Sequence, residues 1–84
     1  MSVSEEVWQN IEQLIAEMTQ SQKEQILKCA KRIVPHVTPE DLLQPNDYPA
    51  LENHPYFRYE EGMLAGLQSV QMAIWALRKA FNTK

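Results

Sequence analysis

From Ser4 to Met18 apolar residues return at steps of three and four. Val7, Ile11, Leu14, Ile15 and Met18 share one helical face, and Trp8 flanks it. Ser4 stands where an N-cap is needed, and Glu5 and Glu6 fall in the first turn, where the helix dipole favours acids. The stripe lapses from Thr19 to Gln25, then resumes in a shifted phase at Ile26, Leu27, Ala30, Ile33 and Val34. Ser21 and Glu24 have the spacing of a capping box, in which hydroxyl and carboxylate satisfy free backbone N–H groups. The pattern therefore predicts a tight turn near residues 19–21 and a second helix from about 22 to 34, with one long bent helix as the alternative. Pro35 closes this segment, because proline disfavours the helical conformation of the residue before it.

All five prolines lie between Pro35 and Pro55. Thr38-Pro39-Glu40-Asp41 combines a capping threonine, proline at a first helical position and early acids, so a short helix is expected over Pro39–Gln44. Residues 45–55 read as loop or isolated turns. The last helix starts between Asn53 and Tyr59 and runs to about Phe81, with Glu60 and Glu61 near its start and Arg78 and Lys79 near its end. No segment alternates as a strand does. The expected fold is all-α: one domain over residues 1–84, a small bundle of two shorter N-terminal helices, a proline-rich connection with a helical turn, and one long C-terminal helix.

That last helix carries no charge from Gly62 to Leu77. Met63, Leu67, Val70, Ile74, Leu77 and Phe81 form a large apolar stripe at alternating steps of four and three. One residue earlier, Gly62, Gly66, Ser69, Ala73, Ala76 and Ala80 repeat the spacing with small side chains, over which a second helix can approach closely. The small stripe fits either the protein's own helices or a second copy. Gln68, Ser69 and Gln71 interrupt an uncharged stretch already shorter than the roughly 20 residues of a membrane span, so no membrane crossing is expected.

Composition narrows the choice of partner. A chain of 84 residues has little core of its own, and a single cysteine, Cys29, rules out an intrachain disulfide. The two histidines, His36 and His54, have no ligand partner at metal spacing, so neither metal nor cofactor is expected. Self-association is the remaining way to add buried area, which makes a homo-oligomer or a protein partner the expectation. A net charge of -3 argues against nucleic acid. The first residues, Met1 to Glu6, lack the apolar run of a secretory signal, and a lone thiol suits a reducing, cytoplasmic setting.

Four of the seven aromatic residues, Tyr48, Tyr56, Phe57 and Tyr59, cluster before the last helix together with His54, Arg58, Glu60 and Glu61. Tyrosine and arginine are effective anchors at interfaces, so Tyr56, Arg58 and Tyr59 are the candidate partner-binding residues. The competing structural role is a strap that packs over the helices. Catalytic signals are weak: Glu60 and Glu61 are adjacent and point apart on a helix, and Cys29, though near Lys28, Lys31 and Arg32, sits beside an apolar stripe where a small core residue belongs. The sequence thus points to a non-enzymatic helical interaction or adaptor protein that self-associates through Gly62, Gly66, Ser69, Ala73 and Ala76. The alternative is a ligand-binding or catalytic protein using the His54–Glu61 segment.

Overall fold

The structure, a computed structural model, describes residues 4–82. Three helices, α1 (Glu5–Ile33), α2 (Pro49–Glu52) and α3 (Pro55–Asn82), are joined by a connection that contains two 3-10 turns, Asp41–Leu43 and Pro45–Asp47. No strand occurs among the described residues, and the fold is all-α.

The expected pair of shorter N-terminal helices is corrected to one continuous helix of 29 residues. Ser21 and Glu24 lie exposed within it, so their capping-box spacing caps nothing. The shift of phase has another cause, a change of neighbour. At 100° per residue, the stripe of Val7, Leu14 and Met18 points to one side of the plane shared by α1 and α3, whereas Leu27, Ala30 and Val34 point to the other, where the connection packs. The helix starts and stops as expected. The Ser4 hydroxyl accepts from the Val7 N–H at 3.2 Å. At the other end the Val34 N–H still reaches the Ala30 carbonyl, and Pro35 allows no further turn.

The short helix expected over Pro39–Gln44 is narrower, a single 3-10 turn at Asp41–Leu43. Its approach is held reciprocally: the Thr38 N–H donates to Asp41 Oδ2 at 2.9 Å, and the Asp41 N–H donates to Thr38 Oγ1 at 3.3 Å. The prolines that follow open elements rather than mark loop. Pro45 begins the second 3-10 turn, Pro49 begins α2 and Pro55 begins α3, all positions where the missing N–H costs nothing.

α1 and α3 run antiparallel. Trp8 meets Phe81 with ring centroids 6.0 Å apart. Arg78 pairs with Glu12 at 2.7 Å and also contacts Glu5. Further along, the Gln22 amide reaches Glu60. The facing residues follow a heptad on both helices: Trp8, Glu12, Ile15, Thr19, Gln22, Ile26, Cys29 and Ile33 against Phe57, Glu60, Leu64, Leu67, Gln71, Ile74 and Arg78, all buried or half-buried.

The two ends of this hairpin differ. At the closed end Ile26, Cys29, Ala30, Val34, Val37, Leu51 and Phe57 form the buried core, with Leu42, Tyr48 and Leu64 packed around it. At the open end no third element among the described residues lies across α1 and α3, and their mutual contact mixes polar Glu12, Thr19, Gln71 and Arg78 with apolar Trp8, Ile15, Leu67 and Ile74. The molecule measures 50 × 19 × 17 Å, with a radius of gyration of 16.4 Å. A compact domain of this length has a radius of about 12 Å.

Candidate interaction surface

The side of α3 turned away from α1 holds the small stripe. Gly62, Gly66, Ser69, Ala73, Ala76 and Ala80 are all exposed. A Cβ built on Gly62 or Gly66 would meet nothing within 4 Å, so neither glycine is there to admit a helix of the same chain. The Ser69 hydroxyl is turned back onto its own helix, donating to the Ala65 carbonyl at 2.9 Å.

The neighbouring large stripe is divided. Leu67 and Ile74 are half-buried toward α1, whereas Met63, Val70 and Leu77 stay exposed. Because the helices are antiparallel, residues displaced in the same rotational sense from their shared seam lie on the same side of the hairpin. Val7, Leu14 and Met18 of α1 therefore line the same side as Met63, Val70 and Leu77 of α3. Sequence spacing alone does not join these two sets, which lie on different helices. The available signal was the phase shift itself, since an apolar stripe that leaves the seam has to face something else.

Tyr56 and Tyr59 project outward, 73% and 65% exposed, and Arg58 pairs with Glu61 at 3.4 Å across one turn of α3. Each of the three candidate partner-binding residues is thus accessible. The strap role falls to other members of the segment: Leu51 and Phe57 are buried, and Tyr48 is half-buried against the core. Exposed Tyr56 lies 5.9 Å from the His54 ring. His54 Nδ1 is buried without a hydrogen-bond partner.

On the opposite side of the hairpin, near the closed end, an open groove of about 530 Å³ lies between the helices and the connection. Leu27, Leu42, Leu43, Phe57 and Leu64 supply apolar walls, and Lys23, Glu24 and Glu61 stand at its margin.

Titratable groups are perturbed mainly where they support the fold. Burial, then the Glu60 carboxylate, pushes the Cys29 thiol up, against the opposing effect of Arg32. This is the behaviour of a core thiol rather than of an activated nucleophile. Asp41 is held below the usual carboxylate range by the Thr38 N–H first and the Thr38 hydroxyl second, with further help from Tyr48. Burial and the nearby Asp41 raise Tyr48. Among the described residues no three His, Cys, Asp or Glu side chains converge on a common metal position, and no helix is long and apolar enough to cross a membrane.

Comparison with protein-family models, curated proteins and solved structures gives no match. The functional reading accordingly rests on the surface chemistry of the hairpin.

Proposed function

We propose that this is a non-enzymatic helical interaction protein that works by pairing its hairpin with other helices, as a self-associating protein or a subunit of a larger assembly. Association runs through the free side of α3, where Gly62, Gly66, Ser69, Ala73 and Ala76 permit close approach. Tyr56, Arg58 and Tyr59 provide anchors for a protein partner next to that surface. The observation that carries the reading is the solvent exposure of apolar residues along the uncharged stretch of α3: Met63, Val70 and Leu77 are 44–50% exposed. Single exposed apolar side chains need no explanation, but a row of them along one helix does. The buried Cys29 thiol fits a reducing, cytoplasmic location.

The melting temperature at protein concentrations spanning two to three decades tests this reading. Association adds stability by mass action, so the midpoint is expected to rise with concentration. A midpoint independent of concentration contradicts self-association. The groove favours a second reading, a binding site for a small apolar molecule, since its volume falls in the range of ligand pockets. A stoichiometric small molecule released from the purified protein on denaturation would support that reading.

A further inference from the structure

We infer that the open half of the hairpin is one half of a four-helix core, and that a second copy of this chain completes it by docking on a face built jointly by α1 and α3. The inference rests on the self-association proposed above and assigns its surface. Val7, Leu14 and Met18 come from α1, and Met63, Val70 and Leu77 from α3. These six side chains are each 44–56% exposed and lie on one side of the hairpin.

The face is not the outside of a finished bundle. Where these helices meet each other at the open end the seam interleaves Trp8, Ile15, Leu67 and Ile74 with Glu12, Thr19, Gln71 and Arg78, while Val7, Leu14, Met18, Met63, Val70 and Leu77 turn sideways. A two-helix protein complete in itself would keep all of its large apolar residues in the seam and polar groups at the side. At the closed end the other side of the hairpin is covered by the connection, which supplies Val37, Leu42, Tyr48 and Leu51. The described chain has no such cover for the open end.

Surface area sets the size of what is missing. The chain exposes 6313 Å². A compact monomer of 9.8 kDa exposes about 5200 Å². The difference, about 1100 Å², is of the order of the roughly 800 Å² per partner that a standard interface buries.

Charge is compatible with a second copy as the occupant, and the missing area matches what such a copy would cover. The chain carries a net charge of -3, so two copies repel unless they meet over a neutral surface. This face carries little charge: of the side chains bordering it on α1, Asn10, Glu17, Ser21 and Gln25, only Glu17 is ionised, and α3 has no charge between Gly62 and Leu77. Two antiparallel hairpins related by a twofold axis would bring the same patch together twice, as a closed dimer requires. The small stripe then lies at the outer margin of α3, and α1 supplies about half of the interface.

Sedimentation equilibrium on the full chain, with Leu14→Glu, Met18→Gln and Leu43→Glu variants, tests the assignment. Circular dichroism of each variant monitors folding. Leu14 lies outside the buried core, so Leu14→Glu is expected to keep its helix content while weakening dimerisation by roughly tenfold or more. Met18→Gln, a neutral change on the same face, is expected to weaken it in the same direction and decides the matter should Leu14→Glu lose helix. Leu43→Glu, at an exposed site on the other side of the hairpin, is expected to dimerise as the wild type does. A wild-type dimer that Met18→Gln and a folded Leu14→Glu leave unchanged overturns the joint face, but leaves association through α3 standing. A wild type that remains monomeric overturns both.

Discussion

The Gln22 amide donates to two oxygens of Glu60, the backbone carbonyl at 3.0 Å and the carboxylate Oε2 at 2.6 Å. The two residues are 38 apart in sequence, and Gln22 is only 8% exposed. This contact fixes the rotation and register of α1 against α3 at the point where the mixed seam of the open end gives way to the closed core. A charge-assisted bond in a part-buried site contributes more than a surface contact. Gln22→Ala should lower stability by about 1–2 kcal/mol. Urea unfolding monitored by circular dichroism checks this, and an unchanged midpoint would show that the seam is held without it.

Thr38 and Asp41 support each other through two hydrogen bonds. Thr38→Ala should cost on the order of 1 kcal/mol, as the loss of a cap does. The accompanying pH effect has a definite sign. The folded-state pKa of Asp41 is lowered, so its contribution is fully present above the unfolded value near 3.9 and is lost as pH falls through the lower folded value. Asp41→Asn should therefore flatten this part of the acid limb of the stability profile. A wild-type profile matching that of Asp41→Asn between about pH 2 and 5 would contradict the role given to this pair.

Cys29 is buried, and its thiol is raised by burial and by Glu60. Modification of the native protein by a thiol reagent at pH 8 should be much slower than that of the unfolded chain, and should follow opening of the core. Reaction at the rate of an exposed thiol would contradict its placement beside Phe57 and Leu51.

Leu51 and Phe57 separate the strap from the outward-facing anchors. Leu51→Ala removes a fully buried side chain and should cost about 2–5 kcal/mol, enough to unfold much of so small a domain. The double change of Arg58 and Tyr59 to Ala should leave helix content and thermal midpoint nearly intact, because both side chains are exposed. It should also abolish binding of any partner that uses this surface. An unfolded double variant would return these residues to the strap.

Local chemistry carried much of the fold. Ser4, Pro35 and Thr38 each act at one backbone position, and the structure puts a cap, a helix end and a reciprocal turn there. The uncharged run from Gly62 and its flanking charges located α3, observed over Pro55–Asn82. The break proposed near residues 19–21 was not found. It rested on Ser21, Glu24 and a change of apolar phase, and a change of phase has two physical origins: a turn in the chain or a change in what the helix packs against. Sequence periodicity reports only that the buried face moved. The outward direction of Gly62 and Gly66 was equally hidden, because a stripe of small residues says how close a neighbour can come and not where that neighbour is. Deciding between the two faces of α3 needed the seam itself, set by Phe57, Leu64 and Arg78.

Ala73→Leu tests the margin of the proposed interface. Ala73 is exposed on α3 opposite α1, so the larger side chain should leave the monomer fold unchanged. If the small stripe forms the centre of the dimer contact, overpacking should weaken association by roughly 1–3 kcal/mol. If the joint face is the centre, the effect should be smaller than that of Leu14→Glu.

The central claim is that this hairpin is incomplete alone and finishes its core by pairing with itself. The most direct measurement is the mass of the wild-type protein in solution by sedimentation equilibrium, from low micromolar to millimolar concentration. The account predicts a reversible shift from the 9.8 kDa chain to twice that mass, with no ligand added. A mass that stays at 9.8 kDa up to the highest concentration would contradict it.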